Sequence, residues 1–194
     1  MGNSRIILGI DPGSRHTGFA LLSVEERTFR ALVCDTIHTD HLEDHTDRLQ
    51  VIFEEVSRII DAWHPDECAV ETPIYGIDPL AMLKLGRAQA AAILAVTNQG
   101  LSVSEYYPKA VKKAITGNGN ASKKQVAYML RKLVEFPDNP ISEDATDALS
   151  VAWCHYSGSG PLSGSSQSKK SHQNNSKSSW KAFIADNPDR VRNP

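Results

Sequence analysis

Four carboxylates stand where the sequence predicts the chain to turn or a helix to begin: Asp11, Glu71, Asp144 and Asp147. Carboxylate oxygens are hard donors suited to Mg²⁺, a cation that keeps several of its waters and needs few protein ligands. Brought together, such groups can hold divalent metal at a phosphodiester, where hydrolysis needs an activated water and stabilised charge on phosphate and leaving oxygen. Neither Cys-x-x-Cys nor His-Glu-x-x-His occurs, so zinc is not expected.

The elements that must position these acids are legible. Arg5-Ile6-Ile7-Leu8-Gly9-Ile10-Asp11 is a short apolar run stopped by an acid and the turn residues Pro12-Gly13-Ser14, which reads as a buried strand ending in Asp11. Residues 17–24 and 28–38 are again rich in β-formers, so the opening predicts an antiparallel meander. Glu67-Cys68-Ala69-Val70-Glu71 repeats the pattern, with Pro73 ending the strand. Between the two, Leu49, Ile52, Phe53, Val56, Ile59, Ile60 and Trp63 recur at offsets of three and four, one face of a helix. A helix leading into a strand predicts a crossover that lays the Glu71 strand parallel to and beside the Asp11 strand. Ser142 can cap a last helix on which Asp144 and Asp147, three apart, share a face.

Each acid also has an ordinary reading. Asp before Pro-Gly is a common turn former, and Asp144 suits the dipole of a first helical turn. Glu71 closes an apolar strand, and a partly buried carboxylate needs a partner. Asp147 lies deeper in its helix, beside Ala148 and Leu149. The four gain force only if the fold brings them together.

Charge points to a nucleic-acid partner. The chain carries a net charge of −2, yet from Tyr106 to Val134 seven basic residues, Lys109, Lys112, Lys113, Lys123, Lys124, Arg131 and Lys132, occur without one acid. That is a local phosphate-binding surface on an acidic body. Ser122-Lys123-Lys124-Gln125 fits a capping box, and a helix start beside Gly117-Asn118-Gly119-Asn120 presents free backbone N–H groups to phosphate.

The run Leu8-Gly9-Ile10-Asp11-Pro12-Gly13-Ser14 with Thr17-Gly18, then Ala69-Val70-Glu71, Leu83-Lys84-Leu85-Gly86-Arg87-Ala88 and Asp144-Ala145-Thr146-Asp147-Ala148-Leu149 resembles the RuvC family of Holliday-junction resolvases, collinearly over residues 5 to 156. The resemblance implies an α/β, RNase H-like fold, a mixed five-stranded sheet flanked by helices. It implies a structure-selective, metal-dependent endonuclease of DNA recombination and repair, working as a homodimer that nicks two opposed strands of four-way junction DNA. It implies two Mg²⁺ or Mn²⁺ ions held by Asp11, Glu71, Asp144 and Asp147. Asp11 is expected to bridge both, Glu71 and Asp147 to complete one shell each, and Asp144 to hold or orient the ion that activates water.

Family partners are a junction-binding protein and a branch-migration motor ATPase. Lys112 and Lys123 match basic positions that the family sets on DNA near the scissile phosphate, with Lys113 and Lys124 beside them. The loop Thr72-Pro73-Ile74-Tyr75-Gly76-Ile77-Asp78-Pro79 departs from the family pattern of an aromatic followed by basic and Asn residues. Tyr75 is the residue that can stack on a base there. Some members place His at the Asp144 position. Here Asp stands, so His16 and His155 are assigned no catalytic role, and His38, His41 and His45 among Asp40, Glu43, Asp44 and Asp47 read as a solvated loop.

Residues 80–97 predict a long helix ending at Asn98-Gln99-Gly100. Apolar on more than one side, it suits packing against a second copy. Residues 1–156 suffice for one nuclease domain with a real core. Residues 157–194 hold ten serines and six Lys or Arg against two Asp, the composition of a disordered basic tail in which Trp180-Lys181-Ala182-Phe183-Ile184 is an apolar island. Cys34, Cys68 and Cys154 read as free thiols of a reducing cytoplasm, and neither signal peptide nor membrane span is expected. Two rivals remain: an actin-like ATP-binding protein, which needs two such domains, and a noncatalytic junction-binding module, against which the full acidic set argues.

Overall fold

Isoleucine-rich β1 (Arg5–Asp11) pairs antiparallel with β2 (His16–Glu25), and β2 with β3 (Thr28–His38), forming the expected meander. In the computed structural model residues 4–158 are described, except 27, 75, 77 and 137–139. Tyr75 and nearly all of the Ser-rich segment therefore lie outside the described residues. Helix α1 (His45–Trp63) crosses over to β4 (Glu67–Glu71), which runs parallel to β1. Then come α2 (Pro79–Asn98), β5 (Val103–Tyr106), α3 (Pro108–Thr116), α4 (Lys123–Leu133) and α5 (Glu143–Tyr156). The sheet is five-stranded in the order β3-β2-β1-β4-β5.

Two apolar layers sandwich the sheet. On one face Leu8, Ile10, Leu21, Cys68 and Val70 pack against Ile52, Val56 and Ile60 of α1 and the alanines of α2. On the other, Ile7, Ala20, Leu22 and Ala69 pack against Val111 and Ile115 of α3, Val126 and Leu130 of α4, and Ala148, Leu149 and Ala152 of α5. The strands alternate between these layers because successive side chains of a strand point to opposite faces.

Helix starts follow the sequence signals. Ser122 accepts from the Gln125 N–H and Gln125 Oε1 accepts from the Ser122 N–H, a complete capping box. Ser142 Oγ accepts from the Ala145 N–H at 3.1 Å and lies 2.7 Å from Thr36 Oγ1, tying the start of α5 to β3. Asp78 caps α2 through the N–H groups of Leu80 and Ala81, with Pro79 at the first helical position.

Two glycines decide where α5 lies. A Cβ on Gly9 would come within 2.1 Å of the Ala148 carbonyl oxygen, and one on Gly18 within 2.1 Å of the Asp144 carbonyl oxygen. Both neighbours are helix backbone, which cannot swing aside as a side chain would. Helix α5 thus rests directly on β1 and β2. Gly9→Ala should cost about 3 kcal/mol or more, an overpacking penalty against backbone, read as a lower midpoint in urea denaturation.

The strand β5 and helix α3 were not anticipated from residue pattern: β5 has four residues, and α3 begins at a proline. The expectation about membrane spans needs qualifying. With a mean hydropathy of 1.3 over 18 residues, α2 is long and apolar enough to cross a bilayer by composition alone. Its Ala88, Ala91, Ala92, Ala95 and Val96 are buried against α1 and the sheet, while most of the rest of the helix is not buried. Cys34, Cys68 and Cys154 carry no disulfide, the last two buried.

Candidate metal and nucleic-acid site

The parallel register Gly9↔Ala69, Ile10↔Val70 ends one residue before Asp11 and Glu71, which close β1 and β4 at their neighbouring carboxyl ends. Both share parity with Gly9 and Ala69, so their side chains leave the sheet on the face that α5 covers. The close approach at Gly9 and Gly18 brings the first turns of α5 over this point. Asp11, Glu71 and Asp147 line one cleft of about 170 Å³ with Lys112, Lys123, Ser150, Pro108, Val111 and Val126. Asp144, one turn before Asp147, is not on that lining, yet lies near enough to act on Asp11 electrostatically.

Burial, then the charge of Asp147, pushes the Asp11 carboxyl up from 3.8 to about 7 against the opposing pull of Lys123. Burial, then Asp11 and Asp147, pushes Glu71 from 4.5 to about 8, with Lys123 and Lys112 opposing. Three acids in one partly dry cleft share only two lysines, Lys112 and Lys123, too little positive charge to hold Asp11 and Glu71 at the ordinary carboxylate range. The donor set is all oxygen, and a hard divalent cation is what lets such neighbours ionise together at neutral pH. These residues fit the metal the sequence implied.

Lys123 Nζ donates to Asp147 Oδ2 at 2.5 Å, and this hydrogen bond raises its own pKa. The predicted lysines thus divide. Lys112 and Lys123 enter the acidic cleft; Lys124 lines a neighbouring hollow with Lys123, Arg131 and Thr146; Lys113 is exposed on α3, away from both linings. Residue pattern missed Ser150, buried one turn beyond Asp147 on the cleft wall, because a helical serine carries no signal of what it faces. His155 bridges Tyr106 and Glu67, at the opposite end of β4 from Glu71. His16, expected to be idle, groups with His38 and Asp40.

The model of the RuvC crossover junction endodeoxyribonuclease family matches residues 7–155. A crossover junction endodeoxyribonuclease RuvC of Salinibacter ruber is 44% identical over 96% of this chain and 98% of its own, and one of Cytophaga hutchinsonii 44% identical over 97% and 88%. Thermus thermophilus RuvC in complex with Holliday junction substrate superposes with a TM-score of 0.72 at 29% identity, covering 78% of this chain and 93% of that one. A yeast mitochondrial Holliday junction resolvase, at 13% identity and a TM-score of 0.58, shares the fold alone. Sheet order, acidic cleft and family match agree along the described residues, and the chain belongs to the RuvC family of crossover junction endodeoxyribonucleases, with its RNase H-like fold.

Proposed function

We propose that this chain resolves four-way DNA junctions by divalent-metal-dependent phosphodiester hydrolysis, nicking two opposed strands in recombination and repair. The observation that carries the proposal is the single cleft lined by Asp11, Glu71, Asp147, Lys112 and Lys123. Asp11, Glu71, Asp144 and Asp147 are the groups that would hold Mg²⁺ or Mn²⁺, two ions per site being the arrangement that four acids suit. Bound metal would supply Lewis acidity towards the phosphodiester and an activated water. The chain's own residues do the rest. Lys112 and Lys123 bring positive charge to the phosphate, Lys124 and Arg131 extend the basic track along α4, and the apolar walls Val111 and Val126 exclude water from the acids.

Two active sites on a twofold dimer suit a symmetric junction. Leu80, Leu83 and Leu94 of α2 are 60%, 50% and 60% exposed, and their spacing puts them on one helix face. That stripe is the surface for a second copy. The junction-binding protein, the branch-migration motor and a cytoplasmic location belong to the same reading, as does stacking of Tyr75 on a base.

Cleavage of a synthetic four-way junction beside a linear duplex of the same sequence, in Mg²⁺ and in EDTA, tests the reading. Cutting confined to the junction and to Mg²⁺ is expected. Equal cutting of both DNAs would show a general nuclease, and binding without cutting a noncatalytic module. Lys112→Ala should lower junction affinity and flatten its salt dependence by about one unit of log K against log salt, because the variant neutralises one phosphate fewer. Titration at several salt concentrations checks it.

A further inference from the structure

We propose that His16, His38 and Asp40 form a second metal site, separate from the carboxylate cleft, that takes a borderline transition ion, Zn²⁺ foremost. The donor atoms of these three residues all lie within 4.8 Å of one another. His16 Nε2 stands 3.5 Å from Asp40 Oδ1, and the two imidazoles meet edge to face with centroids 5.2 Å apart. Around a tetrahedral zinc with bonds near 2.0–2.1 Å, ligand atoms are separated by roughly 3.4 Å. One pair is already at that spacing. The others need to close by at most about 1.4 Å, which side-chain rotation supplies because all three residues are exposed.

The backbone that carries the cluster is firmly held. His16 opens β2 and His38 closes β3 as directly paired residues of the antiparallel ladder, so their side chains share one face of the sheet. Thr39, almost fully buried between His38 and Asp40, donates through its N–H to the Arg15 carbonyl at 2.8 Å and through its hydroxyl towards the Ser14 and Arg15 carbonyls. Asp40 is thereby fixed opposite His16. Its carboxylate is drawn below the ordinary range, first by its own backbone N–H and further by His16, His38 and His41.

Donor chemistry separates the two sites. The cleft offers oxygen alone and suits Mg²⁺, whereas two imidazoles and a carboxylate favour zinc-like ions, with a fourth position open to water. An ion there would join the first residue of β2, the last of β3 and the turn after it. It would also anchor residues 12–15, the turn that leads out of Asp11 into His16.

Calorimetric titration of the full, untagged chain with Zn²⁺, in millimolar Mg²⁺ to fill the carboxylate cleft, tests the proposal. One Zn²⁺ per chain at micromolar affinity is expected, with a Tm rise of roughly 3 °C when Zn²⁺ is at ten times Kd. His16→Ala and His38→Ala should each weaken binding at least tenfold and abolish the Tm rise, while keeping the metal-free Tm and cleavage in Mg²⁺. Asp11→Asn should bind Zn²⁺ as the wild type does. The proposal is overturned if Zn²⁺ binds no more tightly than millimolar, or if Asp11→Asn removes the binding and His38→Ala leaves it.

Discussion

Asp11→Asn should lose junction cleavage by a factor on the order of 10³ while holding junction affinity within a few-fold of wild type. Asparagine keeps the shape of the side chain at the end of β1 and removes its charge. In a cleft where Asp11, Glu71 and Asp147 face one another, that charge is what would hold divalent metal at the reacting phosphate. Binding draws on other groups. Lys109, Lys112, Lys113, Lys124, Arg131 and Lys132 are untouched, and the substitution removes a negative charge that DNA must approach. Gel-shift titration in EDTA measures affinity, and single-turnover cleavage in Mg²⁺ measures chemistry. Wild-type cutting by the variant would remove Asp11 from the site, whereas equal loss of cutting and binding would make its role structural.

The metal-free protein should lose a few kcal/mol of stability between about pH 5 and pH 8, and saturating Mg²⁺ should abolish most of that loss. The sign follows from the two acids whose folded pKa is raised. In the unfolded chain Asp11 and Glu71 ionise near pH 4, while in the fold they hold their protons to about 7 and about 8. Through that window the native state binds more protons than the unfolded one, so stability falls as pH rises. Below the window both states are protonated and the acids contribute nothing. The two groups interact and titrate as a pair, so the loss is one broad transition. A divalent cation binds the ionised pair and stabilises the native state by mass action. Urea denaturation at both pH values, in EDTA and in Mg²⁺, gives the four stabilities needed. Asp11→Asn should flatten the EDTA profile, since it removes one raised acid and relieves the other. A pH-independent stability in EDTA would mean that Glu71 and Asp11 are not held close in a dry cleft.

Local pattern carried much of the molecule. Apolar runs closed by Asp11 and Glu71 became β1 and β4, the three-and-four periodicity of Ile52, Val56 and Ile60 became α1, and Ser122 and Ser142 cap α4 and α5. These signals are short-range, each resting on the hydrogen bonding or burial of a few consecutive residues. The strand Val103–Tyr106 escaped because three half-buried residues and a buried Tyr106 show no period, and it exists through pairing with β4. That α2 is apolar on more than one side was legible, and only the structure shows that Leu80, Leu83 and Leu94 are the residues left exposed.

What the sequence by itself determined is the inventory and local setting of the chemistry: acids at strand ends and in a first helical turn, lysines without nearby acids, and family motifs along residues 5–156. Tertiary structure alone decided which of these meet. The depth to which α5 settles on Gly9 and Gly18 sets Asp147 over Asp11, the fold of α4 hands Lys123 to Asp147, and the register of β2 with β3 pairs His16 with His38 across 21 intervening residues. Backbone approach and strand register are properties of packed surfaces, and residue identity along the chain records only that they are sterically allowed.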